Sequence, residues 1–265
     1  MGGSFPVLMY HALAEQAPAG EHYTLSVAGF RAQLAAIAAA GRVGCALGAV
    51  AAGRVAPERA VVLTFDDGNA SDLGLALPLL REFGFTATFF LTTAHIGSGA
   101  RWLDWDGVER LAAAGMEIGA HGHSHRFLDD LDEWEQLSEL ETPLRLLQSR
   151  LGRAPASLSF PGGRYTDFAL SQARLLGYRQ LCLSRPGLNA CEAADALIRR
   201  FVIHRGVSAR RFARIVTADP LHAAWACAAY AIKGAGKRVL GNRIYYGLWR
   251  ALFARGVAAQ GGTDG

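Results

Sequence analysis

The sequence predicts an α/β fold in which about seven strand–helix units form a parallel, barrel-like sheet. The first observation is a repeat in which a helical stretch closes on glycine and an apolar run follows, as at Gly41, Gly84, Gly115 and Gly177. Glycine readily adopts the left-handed conformation that ends a helix, so the repeat indicates alternating helices and strands. The second observation is that 51% of the 265 residues are hydrophobic, which is enough to bury one large core.

Apolar runs of strand length follow the short turns. The predicted strands cover residues 7–10, 60–65, 86–92, 116–119, 157–160, 180–184 and 198–203. Helices follow from apolar residues at helical spacing, such as Phe30, Leu34 and Ile37. Pro143 lies inside a second such stripe, over residues 137–151, and we expect it to kink that helix or split it in two.

The cysteines and the N-terminus bear on the cellular compartment. Cys45, Cys182, Cys191 and Cys227 are scattered without paired spacing, so we expect buried, reduced thiols and neither a disulfide framework nor a cysteine metal cluster. The N-terminus shows no basic segment followed by a long apolar run, which favours a cytoplasmic location. No apolar stretch approaches membrane-spanning length.

Positive charge is concentrated in the C-terminal part of the chain. Between Arg199 and Arg255 there are twelve Lys and Arg residues and a single acid, Asp219, although the whole chain has a net charge of only +4. We expect a barrel domain over residues 1–215 and a basic, aromatic-containing helical extension over 216–265. The extension suits a helical cap on the barrel or peripheral docking on anionic lipid at the inner face of the membrane, and we favour docking. Nothing resembles a nucleic-acid-binding motif, so no nucleic acid partner is expected.

Metal-ligand residue types follow two of the predicted strands. Asp66 and Asp67 come directly after strand 60–65, and His121 and His125 follow strand 116–119. In α/β barrels the carboxyl ends of the strands meet at one rim, so these side chains are expected to lie together. One carboxylate and two imidazoles would hold a divalent ion and leave a position open for water. We therefore predict Asp67, His121 and His125 as metal ligands and Asp66 as the base that deprotonates the water.

The same residues resemble a known family. Thr64-Phe65-Asp66-Asp67-Gly68 followed by His121-x-x-x-His125 looks like the motif pair of the polysaccharide deacetylases, the NodB-homology carbohydrate esterases. The resemblance runs from about Pro6 to about Ala213. It implies a distorted (β/α)7 barrel, a bound zinc or a similar ion such as cobalt, manganese or nickel, and hydrolysis of N-acetyl groups on sugars. It gives Asp66 and the three ligands the roles predicted above.

A third motif of the family is matched in part by Ser159-Phe160-Pro161-Gly162-Gly163-Arg164-Tyr165. The resemblance implies that the backbone amide of Gly162 holds the oxyanion and that Arg164 and Tyr165 contact substrate. The family's motif begins with an arginine that braces the catalytic aspartate, and this chain has none at that place. The source of that brace is left open.

The late Leu-His-Asp motif that supplies the general acid in many members is missing from this chain. A subgroup carries Met-Tyr-His on the first strand instead, and Met9-Tyr10-His11 resembles it. The resemblance therefore implies His11 as the general acid, with His204 in reserve. His95 and His222 are expected at the surface, and Trp102 and Trp105 suit either sugar stacking or core packing.

Three functions fit this pattern. The leading one is a metal-dependent hydrolase that removes an N-acyl group, most often acetyl, from an amino sugar in a polysaccharide, oligosaccharide or lipid-linked glycan precursor. The second is a non-catalytic sugar-binding or scaffold protein on the same fold, which the incomplete third motif would suit. The third is an iron oxygenase, because two histidines and one carboxylate also form the facial triad of those enzymes, but Asp66 and the loop Pro161-Gly162-Gly163 disfavour it.

Overall fold

A computed structural model describes residues 3–190 and 197–233. The strands are β1 (Ser4–Tyr10), β2 (Leu13–Ala14), β3 (Leu25–Ser26), β4 (Val43–Cys45), β5 (Ala60–Asp67), β6 (Thr88–Leu91), β7 (Glu117–Ala120), β8 (Ser157–Ser159), β9 (Gln180–Cys182), β10 (Leu188–Ala190) and β11 (Phe201–Val202). The helices are α1 (Val27–Ala39), α2 (Leu47–Ala51), α3 (Leu77–Glu82), α4 (Trp105–Ala113), α5 (Glu133–Leu151), α6 (Asp167–Leu175) and α7 (Ala209–Val216). Residues 220–233 are also helical, and a π-helical turn covers Asp72–Ala76.

The central sheet is a ring of parallel strands. β1, β5, β6, β7, β8 and β9 lie side by side in that order, with β4 paired to β5 and β10 paired antiparallel to β1. Ile198 bridges to Cys182 of β9, and β11 then pairs with β1. The segment 198–202 therefore joins the last strand to the first and closes a ring of seven strands within the described residues. The predicted α/β barrel of the (β/α)7 type is confirmed.

The barrel interior is apolar and aromatic. All residues of β5 except the last are buried, as expected for a strand covered on both faces. Phe65 stacks on Tyr10 at one side and on Phe89 at the other, with ring centroids 5.2 and 4.9 Å apart. One large cation, Arg200, is also fully buried at 0% exposure. A buried guanidinium needs a partner, and that partner lies in the candidate site.

The predicted turns and strands are confirmed, whereas one predicted helix differs. Each of the four glycines that close the helix-to-strand turns has a positive φ, between 66° and 95°, so their role is confirmed. The seven predicted strands are present with shifted ends, whereas the short strands β4 and β10 were not predicted. Pro143 was expected to kink its helix or split it, and the split is wrong, because α5 runs unbroken from Glu133 to Leu151; the kink stays a prediction. A capping box at Asp132 and Glu135 and the buried side chains around Pro143 stabilise this helix.

Two further predictions concern the thiols and the extension. Cys45 and Cys182 are buried free thiols as expected, Cys227 is partly buried, and Cys191 lies outside the described residues. The chain divides into two compact units between Ala223 and Ala224. Most of the predicted extension, 216–265, lies outside the described residues, so its docking on lipid stays a prediction. Among the described helices, none combines the length and the apolar character that crossing a bilayer requires.

Candidate metal centre and active site

Three side chains at the carboxyl ends of β5 and β7 converge on one point. Asp67 is the last residue of β5, and His121 and His125 follow β7. Their ligand atoms all lie within 4.8 Å of one another. Asp67 Oδ1 is 3.1 Å from His125 Nε2 and 3.5 Å from His121 Nε2. The structure thus brings together the three residues predicted as ligands.

The backbone at two of these residues is unusual. Asp67 has a φ of 83° and His125 a φ of 64°, and neither is glycine. Such left-handed conformations cost energy in residues with a side chain and are found where the surrounding structure holds a functional group in place. In this chain the two conformations turn Asp67 and His125 toward the same point.

The hydrogen bond of His121 fixes which ring nitrogen is free. His121 Nδ1 lies 2.7 Å from the backbone oxygen of Ser159 in β8. A carbonyl oxygen can only accept, so Nδ1 carries a proton, and Nε2 is the nitrogen left to bind a cation or a second proton. A second ring nitrogen bonded in this way is typical of histidines that bind metals.

Glu139 of α5 holds the loop between the two histidines. Its carboxylate accepts from the backbone N–H of His123 at 2.7 Å and from that of Ser124 at 2.9 Å. The side chain of His123 itself pairs with Thr93 Oγ1 through Nδ1 at 2.9 Å. His123 therefore lies between the two candidate ligands in sequence, but its side chain is hydrogen-bonded to Thr93, just after β6.

The donor set fits a divalent ion. Asp67 Oδ1 is buried, and among the described residues it makes no hydrogen bond of good geometry, although the two imidazole nitrogens lie 3.1 and 3.5 Å away. Three such atoms facing one another suit a shared cation better than a hydrogen bond. Burial alone would raise the pKa of Asp67, but the facing imidazoles of His121 and His125 hold it below its ordinary value. Burial alone would lower the pKa of His121, but the carboxylates of Asp66 and Asp67 raise it above its ordinary value. When no cation is bound, protonation of imidazole supplies part of the positive charge that balances the two carboxylates.

Asp66 is held by Arg200, which the sequence did not reveal as a site residue. Arg200 donates from both terminal nitrogens to the two Asp66 oxygens, at 2.7 and 2.8 Å, and also to Ser159 Oγ at 2.7 Å. Ser159 Oγ lies 3.2 Å from Asp66 Oδ2. This arginine comes from the segment that closes the ring, and it takes the bracing position that the third motif left open. The available signal was an arginine inside the apolar strand predicted at 198–203.

The Arg200 contact sets the charge state of Asp66. Burial alone would raise the pKa of Asp66, but the charge and hydrogen bonds of Arg200, together with His121, hold it below its ordinary value. Asp66 Oδ2 is also 3.8 Å from His121 Nε2. An ionised, oriented carboxylate therefore lies beside the candidate metal position without belonging to the ligand set.

His11 lies at the end of β1 on the opposite side of Asp66. It is partly buried, and its Nδ1 has no hydrogen-bond partner in the part of the chain that the structure describes. Burial lowers the pKa of His11 below its ordinary value, although the carboxylates of Asp66 and Asp67 oppose this. The ring of Tyr23 is 4.9 Å from the His11 ring. His11 is thus electrostatically coupled to both aspartates of the centre.

The other predicted site residues are Gly162, Arg164, Tyr165 and His204, and each has its own position or contacts. Gly162 occupies an exposed turn after β8 with a φ of 63°. Arg164 pairs with Asp129 and Asp130 and lies over the ring of Phe127. Tyr165 stacks on Phe160 at 5.2 Å, and His204 stacks on His22 at 4.2 Å. None of these contacts of Arg164, Tyr165 and His204 is with a candidate ligand.

Two histidines expected at the surface are not simply exposed. His222 is buried at 5% exposure. His95 stacks on Trp102 with ring centroids 4.0 Å apart, and its ring lies 6.0 Å from that of His125. The surface prediction is wrong for His222, which packs near Phe201. His95 is only partly buried, so its prediction is not contradicted.

A third carboxyl of the β5 region is buried without a cation. Asp72, in the π-helical turn, is 0% exposed, and neither of its oxygens has a hydrogen-bond partner among the described residues. Burial, and then the negative charges of Asp67 and Asp66, raise the pKa of Asp72 well above its ordinary value. Asp72 thus keeps its proton to a higher pH than an ordinary carboxyl does.

Comparison with known proteins points to one family. Residues 53–181 match the model of the polysaccharide deacetylase family. Just under half of the chain is therefore similar to this family. It is 28% identical to the Bacillus subtilis (strain 168) protein YxkH over 155 residues, covering 58% of the chain and 55% of the relative. It is 38% identical to a chitin deacetylase of Pestalotiopsis sp over 119 residues, covering 44% of the chain and 38% of the relative. The chain thus spans about half or less of the length of these curated relatives.

A solved structure shows the same fold. The Streptococcus pyogenes deacetylase PplD, determined in complex with acetate, aligns with a TM-score of 0.74 and 23% identity over 83% of this chain and all of that one. The polysaccharide deacetylase match covers Asp66, Asp67, both candidate histidine ligands and Gly162. It leaves out His11, which directly follows β1, and Arg200, which directly precedes β11; these two strands pair at the closure of the barrel.

Proposed function

We propose that this protein is a member of the polysaccharide deacetylase family and a metal-dependent hydrolase that removes an N-acyl group, most often acetyl, from an amino sugar. The amino sugar belongs to a polysaccharide, an oligosaccharide or a lipid-linked glycan precursor. The observation that carries the proposal is the pairing of a convergent Asp67–His121–His125 set with a separate carboxylate, Asp66, fixed by Arg200. The names of the relatives, a chitin deacetylase among them, support the choice of substrate.

Asp67, His121 and His125 would hold the ion. A divalent ion such as zinc, or cobalt, manganese or nickel, would polarise the acyl carbonyl and lower the pKa of a water molecule when bound there. The protein fixes the ligands beforehand, through the Ser159 carbonyl behind His121 and the Glu139 carboxylate behind the loop. This set leaves room for water and substrate because it supplies only three side chains.

Asp66 accepts the proton of the attacking water. Arg200 keeps it ionised and oriented, so it is available as a base across the neutral range. Its bidentate bond also prevents Asp66 from rotating toward the ion as a fourth ligand. Of the two adjacent aspartates, Asp66 therefore transfers the proton and Asp67 binds the metal.

His11 gives a proton to the departing sugar amine, which is a poor leaving group until it is protonated. Because burial lowers the pKa of His11, its protonated form is a stronger acid than an ordinary imidazolium. Asp66 and Asp67 keep that form accessible by partly offsetting the burial. We propose that the chain belongs to the subgroup with Met-Tyr-His on the first strand, and the motif Met9-Tyr10-His11 supports this.

The loop after β8 supplies the backbone N–H group that stabilises the oxyanion. The backbone N–H of Gly162 holds the oxyanion that forms when the acyl carbon is attacked. The left-handed φ of 63° at Gly162 orients this turn. An added Cβ at this glycine would lie 2.7 Å from the Phe127 ring, so a larger residue would shift the turn.

The test is release of acetate from acetylated amino-sugar chains with and without metal. The wild-type protein, stripped with a chelator, should lose activity and regain it when zinc or cobalt is added. Asp66→Asn should still bind metal but lose activity by about a hundredfold or more, the range expected for a general base. Full activity in Asp66→Asn would contradict the mechanism. Tight sugar binding without acetate release under any metal would favour the non-catalytic alternative, and oxygen consumption with ferrous iron the oxygenase.

A further inference from the structure

We infer that the helix over residues 220–233 docks on a membrane surface that carries anionic lipid, with Leu221, Trp225, Ala228 and Ile232 against the bilayer. Two observations support this docking, the apolar exposed face of the helix and the positive charge of the sequence around it. The docking does not depend on the proposed hydrolase activity. Binding to vesicles and release of acetate can therefore be tested separately.

Asp219 begins this helix. Its Oδ1 accepts the backbone N–H of Leu221 at 2.9 Å and that of His222 at 3.0 Å, as polar side chains at the start of a helix do. Its Oδ2 pairs with Arg214 Nε at 2.8 Å. Asp219 is the only acid in residues 199–255, and its charge is balanced by this arginine.

The exposed face of the helix is apolar. Leu221 is 77% exposed, Trp225 59% and Ile232 73%. Together with the exposed Ala228 they are spaced by four, three and four residues, which places them on one side of an α-helix. The buried residues lie on another side of the helix: His222, Ala223 and Ala226. A helix at the surface of a globular protein normally turns its apolar side inward and charged residues outward, so this outward face is unusual.

The helix also lacks charge along almost its whole length. Its last residue, Lys233, is the first charged side chain after Asp219. The four apolar residues extend over eleven positions, which is about 17 Å along a helix axis. An apolar patch of this kind at a protein surface marks a site of interaction with another protein or a membrane.

The charge of the neighbouring sequence points to anionic lipid. Residues 233–255 contain six lysine and arginine residues and no acid. Anionic headgroups attract basic segments, and an adjacent apolar helix face can then enter the boundary between headgroups and acyl chains. Trp225 suits this boundary, because its ring is apolar and its indole N–H is polar. A second copy of the chain would bring the same positive charge, so repulsion opposes a dimer through this face.

The first test is sedimentation of the 265-residue protein with vesicles. Vesicles of equal parts phosphatidylcholine and phosphatidylglycerol should bind the protein at low salt, and pure phosphatidylcholine should not. High salt should weaken the binding, because it screens the charges. Trp225→Ala and Ile232→Ser should each weaken binding by about tenfold, the effect of removing one large apolar side chain from the interface.

Trp134→Ala and Tyr230→Ala are the matched controls. Trp134 is 79% exposed on α5, far in sequence from the basic segment. Tyr230 is 42% exposed and, two residues before Ile232, lies on the other side of the same helix. Both variants should bind vesicles like the wild-type protein. All four substituted positions are exposed, so urea unfolding should show that each variant remains folded.

Brominated lipid in the vesicles tests whether the ring itself enters the bilayer, because bromine quenches the fluorescence of a nearby tryptophan. Trp225→Phe should bind about as well as the wild-type protein and lose part of the quenching. No binding to the anionic vesicles, equal binding to neutral ones, or equal losses in Trp225→Ala and Tyr230→Ala would overturn the inference. So would a dimer in solution that Trp225→Ala dissociates, because the face would then bind a second copy.

Discussion

The two sides of the candidate site are built in different ways. On the ligand side, Asp67, His121 and His125 come from two motifs that each follow one strand and its loop. On the proton-transfer side, His11 comes from the first strand, and the partner of Asp66, Arg200, comes from 134 residues further along the chain. The ligand side is specified locally, whereas the proton-transfer side exists only after the barrel closes. Closure of the sheet by the segment 198–202 therefore also brings Arg200 to Asp66 and completes the candidate site.

Removing Arg200 tests this comparison with the largest expected effect. Arg200→Met would leave Asp66, which is only 2% exposed, as a buried carboxylate without its cation. Loss of one partner of a buried ion pair typically lowers the free energy of unfolding by about 3–5 kcal/mol. Urea unfolding followed by circular dichroism measures the difference between the variant and the wild-type protein.

Arg199→Met is the matched control, because Arg199 is the exposed neighbour on the same segment. It should change the free energy of unfolding by less than about 0.5 kcal/mol. The double variant Arg200→Met with Asp66→Asn should recover part of the lost stability, since it removes the unpaired charge. If Arg200→Met were as stable as Arg199→Met, the ring closure would not depend on the Asp66 contact.

Acid should weaken metal binding on the ligand side. The pKa of His121 lies above its ordinary value in the metal-free protein, so below that pKa an ion must displace a proton to bind. The affinity for zinc should then fall by about tenfold per pH unit as the pH decreases, and should level off above the pKa of His121. Titration with a competing chelator across the range from acid to neutral pH measures this slope.

His123→Asn provides the comparison for this titration. His123 lies between the two candidate ligands in sequence, but its Nδ1 pairs with Thr93. The variant should keep both the affinity and its pH dependence, whereas His121→Asn should lose most of the affinity at every pH. An unchanged affinity in His121→Asn would remove His121 from the ligand set.

The contrast between the two sides also explains what the sequence could predict. The glycine-closed turns and the Asp66-Asp67-Gly68 motif depend on neighbours in the chain, so the fold class and the candidate ligands could be inferred from the sequence. Arg200 could not, because its role depends on the pairing of β11 with β1 and not on any local spacing. The stacking of His95 on Trp102 was missed for the same reason. The three-residue strands β4 and β10 carry too few residues for a periodic pattern.

Substitution of Asp72 has the smallest expected effect. It tests how a third carboxyl, close in sequence to Asp66 and Asp67, differs from them. Arg200 balances the charge of Asp66, and a cation would balance that of Asp67, whereas Asp72 is buried without any hydrogen-bond partner in the described chain. Its pKa is raised in the folded protein, mainly by burial, so the unfolded chain releases this proton at a lower pH than the folded one. Above the ordinary carboxyl pKa, rising pH therefore favours unfolding through this group.

Asparagine is the uncharged counterpart of a protonated carboxyl, so Asp72→Asn should match the wild-type protein near pH 4 and become more stable than it as the pH rises. The gain should approach about 1.4 kcal/mol per pH unit until the pKa of the folded Asp72 is reached. Unfolding of the metal-free proteins in urea at several pH values measures it, with Asp106→Asn, at an exposed position on α4, as the control. A stability difference that does not change with pH would mean that Asp72 ionises normally. Asp66, Asp67 and Asp72 would then carry three negative charges, which Arg200 and one divalent ion would be enough to balance.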